Sequence, residues 1–136
     1  MKRHAATCLA IVLLTIAAQN KTTQDGIYSE AQAKRGDALY AKSCASCHGA
    51  SLEGDGQAPA LADAEFGQEW NNQPLSDLFE RIRTTMPGDA PGTLKPEEVA
   101  DLLAYMFSRA KFPAGPSDLP RDIAALKAST YKAAPR

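Results

Sequence analysis

The sequence has few cysteines, almost no net charge and no alternating run of apolar and polar residues that would predict a β-strand. Its 136 residues include three cysteines, which excludes a scaffold built on several disulfide bonds. The net charge of -1 argues against nucleic acid as a partner. Nine glycines and nine prolines without a repeat exclude a collagen-like chain, and 44% hydrophobic residues fit one compact domain. The predicted fold class is therefore all-α.

One long apolar run, residues 5–18, follows Lys2 and Arg3 and ends in small residues, which is the layout of a secretory signal peptide. An uncleaved membrane anchor is the alternative, but this run is shorter than the roughly 20 apolar residues that span a bilayer. We therefore expect residues 1–18 to be removed on export, which discards Cys8 and leaves no transmembrane span in the mature chain.

Helical periodicity predicts three main helices in the rest of the chain. Ser29 and Gln32 form a candidate capping box, which would open a first helix that continues through the remaining cysteines. Apolar residues recur at helical spacing over about 74–84, which predicts the second helix. Pro96, followed by two glutamates, would open a third helix that ends near Arg109.

The remaining segments lack sustained periodicity. Residues 19–28 are polar and predict a flexible lead-in to a domain over residues 29–110. Within that domain, residues 49–72 are rich in glycine, proline and aspartate and predict a long loop, the kind that often carries function. Residues 111–136 form a proline-rich C-terminal extension with room for one or two helical turns. The extension could cover the domain's own apolar surface or dock a partner.

The most informative motif is Cys44-Ala45-Ser46-Cys47-His48, the C-x-x-C-H pattern of c-type haem attachment. Two thiols separated by one helical turn can add to the two vinyl groups of a haem, and His48 would then face the iron as proximal ligand. A thioredoxin-like dithiol would need a βαβ context, and a structural zinc ion would need four ligands. Beyond residue 18 the chain offers only these two cysteines and this histidine, so haem attachment is favoured.

A sixth iron ligand can be sought by elimination. Because His48 is the sole histidine beyond residue 18, a second histidine ligand cannot come from this part of the chain. Met106 lies on the apolar stripe of the third predicted helix and is expected in the core. Met86 lies in a loop directly before Pro87, although a methionine there could also be a packed side chain. Met86 is therefore the predicted axial ligand.

Over roughly residues 30–110 the sequence resembles the class I cytochromes c, the small monohaem proteins of bacterial periplasms. The residues that carry this resemblance are Gly36, Tyr40, Cys44 to His48, Pro59-Ala60-Leu61, Trp70, Met86-Pro87, Leu102 and Tyr105. The resemblance implies three main helices and long loops around one covalently bound haem c. It also implies that the first and last of these helices cross at the Gly36/Tyr40 and Leu102/Tyr105 pairs.

The same resemblance implies roles in the haem pocket for three further residues. The Pro59 carbonyl is expected to accept a hydrogen bond from His48, Leu61 to pack on the haem, and Trp70 to lie near a propionate. The extension, through its segment FPAGPSDLP, is similar to the tails of cytochromes that accompany quinoprotein alcohol dehydrogenases or are fused to them.

Iron with two protein ligands has no vacant position for a substrate, which indicates an electron carrier and not an enzyme. The expected partners are redox proteins: a dehydrogenase as donor, and an oxidase or another cytochrome as acceptor. Residues 19–110 carry 8 basic and 14 acidic side chains, which favours a partner with a basic rim. The chain would act as a monomer or as an electron-transfer subunit of a quinoprotein dehydrogenase or another oxidoreductase. A haem enzyme, or a sensor in which Met86 dissociates from the iron, is the remaining alternative.

Overall fold

The computed structural model describes residues 20–135, in which six helices and no β-strand are present. They are α1 (Glu30–Ser43), α2 (Ala45–His48), α3 (Ala64–Trp70), α4 (Leu75–Thr85), α5 (Pro96–Arg109) and α6 (Ile123–Lys127). The all-α prediction is confirmed, and α1, α4 and α5 are the three main helices expected from periodicity. None of the helices in residues 20–135 is long and apolar enough to cross a bilayer. The predicted signal peptide, residues 1–18, lies outside the described residues.

Helix α1 begins where the sequence predicts, but only half of the expected capping box forms. The Ser29 hydroxyl oxygen accepts a hydrogen bond from the Gln32 backbone N–H at 3.0 Å, which satisfies one free donor of the first turn. The Gln32 side chain does not return to the cap. Its amide donates to the Leu119 carbonyl at 3.1 Å and accepts from the Leu119 N–H at 2.6 Å, so this buried side chain ties α1 to the C-terminal extension.

Helices α1 and α5 cross in direct backbone contact at Gly36. A Cβ on Gly36 would lie 1.9 Å from the Asp101 carbonyl oxygen, so no larger residue fits without movement of a helix. One turn further on, the rings of Tyr40 and Tyr105 lie 5.2 Å apart, and Leu102 is buried beside them. This is the crossing that the family resemblance implied.

Helices α4 and α5 supply most of the remaining core. Leu75, Leu78 and Phe79 are buried on one face of α4, as its helical spacing predicts. Helix α5 starts at Pro96, and the Glu98 carboxylate accepts a hydrogen bond from the Lys95 N–H at 2.8 Å. Met106 is 5% exposed, as expected for a methionine that fills the core.

The prediction of an uninterrupted loop over residues 49–72 is wrong, because α3 lies within it. The Asp63 carboxylate caps this helix by accepting a hydrogen bond from the Phe66 N–H at 2.8 Å. Phe66 and Gly67 are buried, and Tyr131 and Ala133 of the C-terminal extension pack against the helix at Gly67. Seven residues make two turns, which is too short for helical periodicity to stand out in the sequence.

The described part of the lead-in, residues 20–28, is packed and not loose as expected. Thr23 is fully buried, and Ile27 and Tyr28 are nearly so. The Thr23 hydroxyl donates to the Lys132 carbonyl at 2.7 Å and accepts from the Lys132 N–H at 2.9 Å. The lead-in therefore gains its order from a segment more than 100 residues away.

The C-terminal extension packs on the surface of its own domain. Its first part is extended, and α6 follows where one or two helical turns were expected. Four of its apolar side chains are buried in the core: Phe112, Leu119, Leu126 and Tyr131. Of the two alternatives that the sequence left open, the structure shows the one in which the extension covers apolar surface of this chain.

Candidate functional site

The cysteine motif forms a single turn of helix directly after α1. Cys44 ends α1 and precedes α2, and its carbonyl oxygen accepts hydrogen bonds from the Cys47 N–H at 3.2 Å and the His48 N–H at 3.0 Å. Both thiols are free; Cys44 is half-buried and Cys47 is exposed. This turn therefore presents two sulfur atoms and one imidazole within five residues.

The His48 ring is buried and held by one hydrogen bond. Its Nδ1 atom lies 2.9 Å from the Pro59 carbonyl oxygen, which is the contact that the family resemblance implied. Because a carbonyl oxygen can only accept, Nδ1 carries the proton. In the neutral ring the lone pair is then on Nε2, which is the form of histidine that binds a metal ion.

The loop after His48 is folded tightly over the motif. The His48 carbonyl accepts from the Gly54 N–H at 2.8 Å, and the Tyr40 hydroxyl donates to the Gly49 carbonyl at 2.6 Å. Gly54 has a φ of +74°, and a Cβ there would lie 2.7 Å from the Ala58 carbonyl oxygen. The loop can therefore fold back and bring Pro59 to the imidazole only with glycine at this position.

Leu52 is a residue of this site that the sequence did not reveal. It is 1% exposed and has a φ of 63°, a backbone conformation that leucine seldom adopts. Its carbonyl accepts a hydrogen bond from the Leu61 N–H at 3.0 Å, which joins the two ends of the loop. Nothing in the local sequence pattern marks Leu52, because its burial depends on closure of the loop. The neighbouring glycines were the available sign that the loop turns tightly here.

Burial raises the pKa of two groups near the motif. It raises the pKa of the Cys44 thiol to about 11, and the nearby Cys47 thiol adds to this effect. Burial likewise raises the pKa of the Tyr40 hydroxyl to about 12. The protonated Tyr40 hydroxyl is the donor in the hydrogen bond to the Gly49 carbonyl.

Met86 lies at the C-terminal end of α4 with its side chain half-buried. Its N–H donates to the Ile82 carbonyl at 3.0 Å, and its carbonyl accepts from the Gly92 N–H at 3.3 Å, so the backbone is fixed on both sides. Met106, by contrast, is enclosed in the core. Of these two methionines, Met86 is the one that is partly exposed.

Several apolar side chains between the loop that follows His48 and the start of α5 are packed against the core but remain partly exposed. They are Leu61, Ala62, Trp70, Ile82 and Leu94. Trp70 ends α3, and its ring lies 6.2 Å from the ring of Phe66. Half-exposed apolar groups of this kind are typical of a surface that an apolar ligand covers. Pro59 is exposed, and its carbonyl reaches the imidazole.

Acidic side chains surround an open cleft of about 430 Å³ beside Pro59. Those that line it are Glu53, Asp63, Glu65 and Glu69. On α4, the guanidinium of Arg83 forms an ion pair with Glu80 at 2.8 Å. Part of the positive charge that precedes Met86 is therefore matched by a neighbouring carboxylate.

Comparisons with known proteins identify a family for residues 31–106. Residues 31–106 match the model of the family described as cytochrome c oxidase, cbb3-type, subunit III. Over 70 residues the chain is 34% identical to cytochrome c-551 of Bacillus subtilis strain 168. This match covers 52% of this chain and 60% of that protein. It is also similar to a chain in the crystal structure of the sulfane dehydrogenase SoxCD from Paracoccus pantotrophus, with 22% identity and a TM-score of 0.49. That similarity covers 86% of this chain and 62% of the other. The chain thus spans about three fifths of the length of each.

Proposed function

Since this chain belongs to the cytochrome c family described as cbb3-type subunit III, we propose that it is a periplasmic monohaem carrier of single electrons. Its cofactor is a covalently bound haem c, as in the rest of the family. The observation that carries the proposal is the His48 ring, whose Nδ1 is bonded to the Pro59 carbonyl and whose Nε2 is left as a metal ligand directly after two free thiols.

The residues present fit this cofactor. Cys44 and Cys47 would hold it through two thioether bonds, and His48 and Met86 would supply the axial ligands. Leu61, Trp70 and the other half-exposed apolar side chains would cover its faces. When bound, haem supplies a one-electron couple between Fe(III) and Fe(II).

The protein's own contribution is to hold the ligands still. His48 is fixed by its ring hydrogen bond and by the loop that closes through Gly54. Met86 is fixed by backbone hydrogen bonds at the end of α4. Ligands held in this way change position little when the charge on iron changes, which favours fast electron transfer. A thioether ligand and an apolar pocket both raise the reduction potential.

The acidic cleft beside Pro59 favours partners of complementary charge. A donor dehydrogenase or an acceptor oxidase or cytochrome with a basic rim would approach this side of the domain through a small, transient interface. The proline-rich extension offers little support for permanent association with a dehydrogenase, because its large apolar side chains pack inside this chain. The proposed export rests on the layout of residues 1–18, and the periplasm as its destination rests on the resemblance to the class I cytochromes c.

The proposal is tested by optical spectroscopy on protein matured with a c-type haem assembly system. We expect a weak near-infrared sulfur-to-iron band in the oxidised form and no response of the reduced form to carbon monoxide. Met86→Ala should remove the band and permit carbon monoxide binding. Met106→Leu is the matched control, because it changes a methionine that is enclosed in the core, and it should leave both properties unchanged.

Two other outcomes would contradict the proposal in different ways. Carbon monoxide binding to the unmodified reduced protein would indicate an open iron and move the function toward sensing or catalysis. A near-infrared band that survives Met86→Ala would show that another group is the axial ligand.

A further inference from the structure

We propose that the C-terminal extension positions Trp70 at the haem site, with Tyr131 and Asn71 as the positioning residues. This inference rests on the proposed function, because it assigns Trp70 to the haem pocket. Residues 71–74, which link α3 to α4, are called the corner below. The corner starts immediately after Trp70, so whatever fixes the corner also fixes the end of α3 that carries this side chain.

Backbone hydrogen bonds join the middle of the corner, and the residue that follows it, to the extension. The Asn72 N–H donates to the Tyr131 carbonyl at 2.8 Å, and the Tyr131 N–H donates to the Gln73 carbonyl at 2.9 Å. Directly after the corner, the Leu75 N–H donates to the Ser129 carbonyl at 2.9 Å. Two bonds within the corner and one directly after it therefore hold this link against the extension.

Side chains of the corner add two further bonds. The side-chain Oδ1 of Asn71, a half-buried residue, accepts a hydrogen bond from the Ala133 N–H at 3.0 Å. The Asn72 side chain accepts from the Lys132 ammonium at 3.0 Å in an exposed position. Because Asn72 has a φ of 65°, the corner adopts a backbone conformation that isolated chains rarely populate and that these contacts stabilise.

An aromatic contact carries the same restraint into α3. Tyr131 is 2% exposed, and its ring centre lies 6.3 Å from that of Phe66 in an edge-to-face arrangement. Phe66 in turn lies 6.2 Å from Trp70. The centre of the Tyr131 ring also lies 5.5 Å from that of Phe112 and 6.0 Å from that of Phe107 in α5, so the ring links α3 to α5.

These contacts make the position of Trp70 depend on residues about 60 positions later in the chain. Loss of the Tyr131 ring or of the Asn71 bond should let the end of α3 move away from the core before the main helices unfold. Water would then reach the haem more easily. Since water stabilises the more highly charged oxidised iron, the reduction potential should fall.

Trp70 provides a direct probe because it is the only tryptophan in the chain. Haem absorbs at the wavelengths where tryptophan emits, so a tryptophan close to haem is strongly quenched. The experiment uses the haem-loaded protein and the variants Tyr131→Ala, Asn71→Ala and Tyr131→Phe. Trp70 fluorescence and far-ultraviolet circular dichroism are followed together during guanidinium titration, and the midpoint potential is measured without denaturant.

The control is Gln32→Ala, which removes the two bonds between α1 and the extension at Leu119, on a different helix from Trp70. This variant should move the fluorescence and dichroism transitions to lower denaturant together and leave the potential unchanged. Tyr131→Phe keeps the ring and should behave like the unmodified protein.

In Asn71→Ala and Tyr131→Ala we expect Trp70 fluorescence to rise at lower denaturant than the loss of helix, together with a lower potential. For Asn71→Ala the opening of the corner should become about fivefold more favourable, the effect of one lost hydrogen bond. If Tyr131→Ala does not fold, Asn71→Ala decides the question.

Coincident transitions and an unchanged potential in Asn71→Ala would overturn the inference and leave the extension with a purely structural role. Bright Trp70 fluorescence in the unmodified haem-loaded protein would also overturn it, because Trp70 would then lie away from the haem, while the proposed function would stand. Failure of Cys44 and Cys47 to attach haem would contradict the proposed function and this inference together.

Discussion

Gly36 is the residue at which α1 and α5 come into backbone contact. Because a Cβ there would lie 1.9 Å from a carbonyl oxygen of α5, we expect Gly36→Ala to lower the free energy of unfolding by roughly 2–3 kcal/mol. Guanidinium denaturation of the haem-loaded protein measures the change. Gly88→Ala is the matched control: nothing lies within 4 Å of its added Cβ, so its effect should stay within about 0.5 kcal/mol. Equal effects in the two variants would show that the helix crossing tolerates a methyl group.

Other single residues differ in how far the sequence reveals them. His48 and the cysteines are evident from a local motif, and Met86 follows because the chain has so few alternatives. Leu52 is not evident, because its left-handed backbone exists only when the loop has closed over the motif. Local patterns thus mark the groups that we propose bind the haem, and they miss residues that depend on distant contacts.

Helix α3 depends on its cap because it has only seven residues. Asp63→Ala removes the hydrogen bond to the Phe66 N–H and should cost about 1 kcal/mol of unfolding free energy. Asp122→Ala removes the equivalent bond at the start of α6 and is the matched control. We expect similar losses of stability in denaturant titrations of both variants, with a larger change in Trp70 fluorescence for Asp63→Ala. A fluorescence change of the same size in Asp122→Ala would show that the two helices do not move independently.

The elements that the sequence predicts are those whose order is local. Helices α4 and α5 have an apolar face at regular spacing, so their limits are predicted to within a residue or two. The lead-in was predicted to be flexible because nothing in residues 20–28 is periodic; its order comes from hydrogen bonds between Thr23 and Lys132. Helix α3 was missed for a related reason, since the extension packs along it.

At the scale of the whole molecule, Asp118 links the extension to both crossing helices. Its carboxylate accepts a hydrogen bond from the Ser29 hydroxyl and pairs with Arg35 at 2.7 Å, and Arg35 also pairs with Asp101 of α5. The hydrogen bond from Ser29 has the largest effect and that from Arg35 the next largest, and together they hold the pKa of Asp118 below its ordinary value of 3.8. A carboxyl group with a lowered pKa stabilises the fold above its unfolded pKa, and this contribution is lost as the pH falls through the folded pKa.

We therefore expect the unfolding free energy to decrease as the pH falls below about 4, with a smaller decrease in Asp118→Asn. Guanidinium titrations at a series of pH values measure the difference between the two proteins. Asp89→Asn, in the exposed loop after Met86, serves as the control and should keep the pH dependence of the unmodified protein. Parallel curves for Asp118→Asn and the unmodified protein would contradict the role of this network.

The charge of the molecule is divided between its two parts. Residues 19–110 carry 8 basic and 14 acidic side chains, whereas residues 111–136 carry 5 basic and 2 acidic ones. The acidic cleft beside Pro59 lies in the negative part, next to the loop that holds His48. A cationic reagent should therefore be drawn toward the haem side of the protein, and an anionic reagent repelled from it.

Oxidation of the reduced protein by small cationic and anionic metal complexes tests this distribution. From about 0.01 M to about 0.15 M ionic strength the screening length falls from roughly 30 Å to roughly 8 Å, so the rate should fall for the cation and rise for the anion. Glu65→Lys should reduce the rate with the cation at low salt, because it reverses a charge at the cleft. Lys127→Glu on α6 changes one charge in the opposite direction, outside the cleft, and should have a smaller effect. Equal and opposite effects of the two variants would mean that net charge, and not the cleft, controls the approach of a partner.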